Sequence, residues 1–253
     1  MYNMQINHTP SRNVALITGA AHRVGAAIAR CLHNHGMNVI VHYRNSQVAA
    51  EQLRDELQAQ RPDSVHLVQC NLLDISGLAG LIKHSYEWQG RLDVLVNNAS
   101  SFYPTPVSDA NETQWDDLLS SNLKAPFFLA QAADPYLRRH NGSIVNIVDI
   151  HAERPLKGYS IYSIAKAGLV MLTKTLAREL APEIRVNAVA PGAILWPEKG
   201  ANEEIRKYII NKTALKRQGD PNDVARAVAF LVQEAEYMTG QILTVDGGRS
   251  LSN

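Results

Sequence analysis

Seven apolar runs punctuate the chain: NVALI (13–17), NVIVHY (38–43), SVHLVQ (64–69), LDVLV (92–96), SIVNIV (143–148), IRVNAVA (184–190) and QILTV (241–245). Most are continuous rather than strictly alternating, the pattern of strands covered on both faces, as in a parallel sheet. Between them lie stretches with apolar residues at helical spacing, near 24–35, 47–60, 75–88, 112–140, 160–180, 202–211 and 221–234. Boundary signals mark two of these. In DPNDVARAVAFL, Asp220 can cap a helix that Pro221 begins, and Gly36 after HNH is placed to close the helix at 24–35. The alternation predicts an α/β fold: a single Rossmann-like, doubly wound, seven-stranded parallel sheet with helices on both faces.

No linker, low-complexity segment or repeat interrupts this order, so residues 1–253 read as one domain. The segment 191–220, with Pro191, Gly192, Pro197 and Gly200 before a charged helical stretch, falls near the carboxyl ends of the strands. It is either a substrate-binding segment or an ordinary surface excursion. The chain is 45% hydrophobic and 19% charged, enough apolar content for a large core, and its net charge of +1 makes no case for a nucleic-acid partner. The charge distribution says more. No Asp or Glu precedes Glu51, whereas Arg12, Arg23, Arg30, Arg44 and five histidines do, which suits an anionic small ligand. Cys31 and Cys70 are too few for a disulfide framework or a zinc cluster and are expected as buried free thiols, with no metal. No apolar run approaches the ~18 residues that span a bilayer, and MYNMQINHTPSR lacks an apolar signal core, so no membrane association and a cytoplasmic location are expected.

The first run leads into TGAAHRVG and then a helical stretch, the context of a phosphate-binding turn. Gly19 permits the tight turn, Gly25 permits close helix packing, and the helix N-terminus offers N–H groups and partial positive charge to a pyrophosphate. After the second run, where NAD-selective sites carry an acid for the ribose, the chain reads HYRNSQ. Arg44 can pair with a 2′-phosphate and Asn45 and Ser46 can donate to it, which favours NADPH; the alternative is an exposed loop cation. In YSIYSIAK, Tyr162 and Lys166 stand four apart and share a helix face. An ammonium beside a phenol stabilises the phenolate, so Lys166 is expected to lower the Tyr162 pKa and ease proton exchange.

Together TGAAHRVG, NNAS (97–100), Asn122 in SSNLKAPFF, YSIAK, APG and VDGG resemble the short-chain dehydrogenase/reductase family over nearly the whole chain. The resemblance implies that Tyr162 is the proton donor, that Lys166 binds the nicotinamide ribose and tunes it, and that Asn122 supports a water-mediated proton path. It implies cofactor contacts from Gly19, Arg23, Val24 and Gly25 in the turn, and from Tyr43, Arg44, Asn45 and Ser46 after the second strand. Further contacts are implied from Asn71 and Leu72, from Asn98 and Ala99, and from Pro191 and Gly192. Two departures refine it. Arg23 replaces the central glycine of the turn, and Asp149 stands thirteen residues before Tyr162, where most members carry a serine. Both departures occur in the pteridine reductases, which the chain resembles also in NNASSFYPTP at 97–106. That implies a pterin substrate held by Arg23, Ser100, Phe102, Asp149 and Tyr162, with Asp149 and Tyr162 delivering a proton. Trp196 either lines the same site or packs beneath its segment, and Phe102 and Asp149 each have a plain alternative, as a core aromatic and a turn cap. A 3-oxoacyl thioester reductase is the near alternative, with a non-catalytic NADP-binding sensor behind it. The family resemblance further implies a homotetramer built through the helices at 112–140 and 160–180.

Overall fold

The computed structural model describes residues 13–194 and 203–252. Its strands are β1 (Val14–Ile17), β2 (Asn38–Tyr43), β3 (Val65–Gln69), β4 (Val94–Asn97), β5 (Ser143–Ile147), β6 (Arg185–Pro191) and β7 (Ile242–Val245). Each falls within about two residues of its apolar run. The helices between and after them are α1 (Arg23–Asn34), α2 (Gln47–Gln60), α3 (Leu78–Glu87), α4 (Glu112–Leu119), α5 (Ala125–Leu137), α6 (Ser160–Glu179), α7 (Glu203–Asn211) and α8 (Pro221–Gln233). The strands form one sheet in the order β3-β2-β1-β4-β5-β6-β7, every neighbouring pair parallel.

The continuous apolar runs are explained by two cores, one on each face of this sheet. Successive strand side chains point to opposite faces. Thus Ala15 and Ile17 join Val39 and Val41 beneath α1, α2 and α8, and Val14 and Leu16 join Ile40 beneath α3, α5 and α6. The boundary signals also hold. Gly36 takes φ +90° just past α1, and Asp220 accepts from Asn222 N at 2.8 Å while Asp223 accepts from Asp220 N at 2.9 Å. The stretch expected as one helix over 112–140 is broken instead. Residues Ser120–Lys124 form a wide π turn between α4 and α5, and this turn carries Asn122. Cys31 and Cys70 are free but only half-buried, and burial raises both thiol pKa values. Among the described residues no helix is long and apolar enough to cross a membrane.

Chain order reverses across the sheet between β1 and β4, which opens a crevice beyond their carboxyl ends, the usual ligand position in such sheets. The helix after β1 packs there without clearance. A Cβ on Gly25 would lie 2.4 Å from Gly19 O and 2.6 Å from Asn98 Nδ2. Replacing Gly25 by alanine therefore has to push the turn off the sheet, an overpacking effect expected to cost about 1–3 kcal/mol in urea denaturation. A variant as stable as the parent would show that this contact does not hold the turn.

Candidate active site

The turn after β1 is fastened to the end of β4 by side chains. Thr18 is 1% exposed. Its Oγ1 accepts from Asn98 N at 2.9 Å and Ala99 N at 3.0 Å and donates to Val96 O, and Asn98 Nδ2 donates to the carbonyls of Thr18 and Gly19. Gly19 takes φ +61°, and a Cβ there would meet Ala99 Cα at 3.0 Å, so the turn needs glycine on both counts. Arg23 takes a backbone conformation that favours glycine. Its φ is +53°, left-handed, at the first residue of α1, with an exposed side chain. Val24 is half-buried against the α1 core.

Beside this turn a groove of about 360 Å³ is lined by Gly19, His22, His42, Tyr43, Arg44, Asn45, Ser46, Asn71, Leu72, Ala99, Ser100 and neighbours, none of them acidic among the described residues. It gathers eight of the expected cofactor residues from four different strand ends. Arg44 and Asn45 are exposed at its rim, and Ser46 stands at the start of α2 without a side-chain capping bond. At the N-terminus of α1, His22 likewise provides no side-chain cap, so an anion can take that place. Asn71 is exposed and Leu72 buried. These features fit a nicotinamide dinucleotide: a glycine turn at a helix N-terminus for its phosphates and a cationic rim for its adenosine end. At the other side, Gly192 donates its N–H to Val245 O, and a Cβ there would lie 2.7 Å from Asp246 Cβ, which explains the glycine after Pro191.

Asp149 leaves β5 in an extended conformation and does two things. Its Oδ1 accepts from His151 N at 2.8 Å, capping the short turn that follows, and its Oδ2 accepts from the Tyr162 hydroxyl at 2.7 Å. The turn-capping role and the contact with Tyr162 are therefore both present. Lys166 is fully buried beneath them. Its Nζ donates to Ile147 O at 2.9 Å and lies 5.6 Å from the centroid of the Tyr162 ring. The expected lowering of the Tyr162 pKa is not what this arrangement produces. Burial first, then the charge and hydrogen bond of Asp149, raise it well above its ordinary value. Lys166 Nζ lies over the ring, and its own pKa falls to about 8 because burial penalises its charge more than Asp149 restores it. The phenol is held protonated.

Phe102 is 43% exposed, not a core residue. It stacks on Tyr159 at 4.6 Å and 14° and meets Tyr162 edge-on at 4.8 Å and 77°. Ser100 is exposed and donates to Asn122 Oδ1 at 2.8 Å. Asn122 is fully buried, and its Nδ2 reaches Ser101 O and Leu118 O, both at 3.0 Å. The amide thus ties the loop that carries Ser100 and Phe102 to the π turn between α4 and α5, and that turn provides its placement. Trp196 lies outside the described residues. Sequence reasoning missed Thr18, His42 and Tyr159. An apolar strand gives no signal for a polar residue at its end whose partner is distant in sequence.

The glycine turn, the acid-free groove and the tyrosine–lysine–carboxylate cluster all stand beyond the carboxyl ends of the strands, and the chain belongs to the short-chain dehydrogenase/reductase family. The profile of the family described as enoyl-(acyl carrier protein) reductase matches residues 19–250. The chain is 37% identical over 287 aligned positions to pteridine reductase 1 of Leishmania tarentolae, covering 96% of this chain and 98% of that protein. It is 39% identical over 238 positions to a 3-oxoacyl-[acyl-carrier-protein] reductase of Staphylococcus aureus, covering 92% and 96%. It is an NAD(P)-dependent oxidoreductase.

The Lys166 pKa sets a pH dependence. Its folded value of about 8 lies below the ordinary 10.5. Between those values the unfolded chain holds the proton and the folded one has released it, so this group makes stability rise with pH across that window. Reduction that uses the ammonium runs the other way: kcat/KM is expected to fall as pH rises through about 8. A rate level to pH 10 would remove the Lys166 charge from the reaction.

Proposed function

We propose that this protein is an NADPH-dependent pteridine reductase. The observation that carries the reading is the hydrogen bond from the Tyr162 hydroxyl to Asp149 Oδ2, 2.7 Å, with the exposed ring of Phe102 beside it. Reduction of a ring C=N bond needs a hydride at carbon and a proton at nitrogen. NADPH, when bound, supplies the hydride. The protein supplies the proton: Tyr162 donates from its hydroxyl, and Asp149, hydrogen-bonded to that hydroxyl, replaces what Tyr162 gives up when it carries a proton itself. Lys166, charged below a pH of about 8, offsets the negative charge that this transfer leaves on the pair.

Around that centre, Phe102 offers an aromatic face to a flat heterocycle and Ser100 a hydroxyl to its polar edge. Arg23, held at the start of α1 by its left-handed backbone, is the cation between the phosphate turn and the substrate. Asn122 anchors the loop that carries Ser100 and stays assigned to the proton path. Arg44, Asn45 and Ser46 form the 2′-phosphate subsite, and the absence of acids among the described groove residues favours NADPH over NADH. Gly19, Val24, Gly25, Tyr43, Asn71, Leu72, Asn98, Ala99, Pro191 and Gly192 complete the cofactor site. Residues 191–220 form the substrate-binding segment of a single reductase domain. Two free cysteines suit the cytoplasm. Exposed Trp115, Ile164 and Met171 on α4 and α6 suit a homotetramer built through those helices.

Similarity to a 3-oxoacyl reductase, at 39% identity, supports a second reading, thioester reduction; the carboxylate at 149 opposes it. The test is the oxidation of NADPH and of NADH, followed by absorbance, with dihydrobiopterin, dihydromonapterin and a 3-oxoacyl thioester. The proposal expects turnover of a dihydropterin with NADPH preferred by about tenfold or more. Turnover of the thioester with no pterin active would overturn it.

A further inference from the structure

His42 has no place in the roles above. It lies on β2, 2% exposed, and its ring bridges the ends of the two flanking strands. Gly19 N, just past β1, donates to Nδ1 at 3.0 Å, and Nε2 lies 3.1 Å from Cys70 O, just past β3. The partners settle the tautomer. A backbone N–H can only donate, so Nδ1 carries the lone pair; a carbonyl can only accept, so Nε2 carries the proton. Burial agrees, since it pushes the imidazole pKa down to about 4 and keeps the ring neutral. Backbone bonds tighten the same junction: Ala20 N donates to His42 O at 2.9 Å and Cys70 N to Tyr43 O at 3.1 Å.

We propose that His42 is a positioning residue for cofactor affinity: by accepting the Gly19 N–H and donating to Cys70 O, it presets the β1 turn and the end of β3 to receive the pyrophosphate and the adenosine of the dinucleotide. The inference rests on the reading of this groove as the dinucleotide site. Gly19 stands at φ +61° and Asn71 directly follows Cys70, so one ring sets two subsites. Without the acceptor, the Gly19 N–H loses its partner and the turn rearranges to recover one. The bound dinucleotide then has to restore the order, which weakens binding. The ring touches no reacting atom, so turnover at saturating cofactor is unaffected.

Substitutions separate the two bonds. His42→Asn keeps an acceptor near Nδ1, His42→Gln keeps only a donor near Nε2, and His42→Leu keeps neither. NADPH affinity is read by fluorescence titration, alongside kcat and thermal stability. All three variants are expected to be less stable. The Asn variant should stay within about 3-fold of the parent in affinity, and the Gln and Leu variants should lose about tenfold or more. Values of kcat at saturating NADPH should stay within about 2-fold. Equal affinities in the Asn and Gln variants would overturn the proposal. Arg44→Glu is the control for the groove. If it weakens NADPH while His42→Gln does not, the groove holds the cofactor and the inference fails; if neither variant weakens NADPH, the reading of the groove fails with it. Should the Gln and Leu variants not fold, the ¹⁵N shifts of His42 in the parent protein decide. A single Nε2–H tautomer, free and with NADPH, supports the proposal, and an Nδ1–H tautomer overturns it.

Discussion

Seven strands running in one direction bring their carboxyl ends to a single edge, and the candidate site hangs from that edge. Parallel strands leave each end with polar backbone groups and no hairpin to occupy them. Here those groups are tied sideways to the next strand by side chains. Thr18 and Asn98 join the ends of β1 and β4, and His42 joins β1, β2 and β3. Asp149 and Tyr162 join the end of β5 to α6. Because the two apolar cores fix the strands from both faces, this lateral stitching only has to set the last residues of each strand. It does so within hydrogen-bond distances.

What the sequence made legible follows from local rules. Continuous apolar runs marked a doubly covered sheet, and the four-residue spacing put Tyr162 and Lys166 on one helix face. Gly25 is required by a 2.4 Å approach that its place in the turn already suggested. What stayed hidden depends on contacts between distant residues. The π turn at Ser120–Lys124 leaves helical periodicity almost intact, and its reason is Asn122 reaching the loop at Ser100 and Ser101. Arg23 adopts a left-handed backbone that no preference of arginine announces. His42 meets a residue 23 positions earlier and another 28 later.

The electrostatics carry the same lesson. Spacing alone set Lys166 to acidify Tyr162, yet the hydroxyl faces Asp149 and is buried, and both effects raise its pKa. Burial first, and then the neighbouring carboxylate, hold the tyrosine protonated. Lys166 pays part of its charge for its burial and remains the only ammonium beside the ring among the described contacts. The result is a tyrosine–lysine–carboxylate cluster next to an exposed aromatic ring.

In the proposed reaction Asp149 carries a proton in catalysis as well as capping a turn. Asp149→Asn separates the two: its amide oxygen can still accept from His151 N, and its amide nitrogen can still bond the Tyr162 hydroxyl, but it cannot supply a proton. Single-turnover hydride transfer from NADPH to a dihydropterin, followed by stopped flow at saturating substrates, measures the difference directly. The expected rate is about 100-fold lower with pterin affinity nearly unchanged. A rate equal to that of the parent would contradict it.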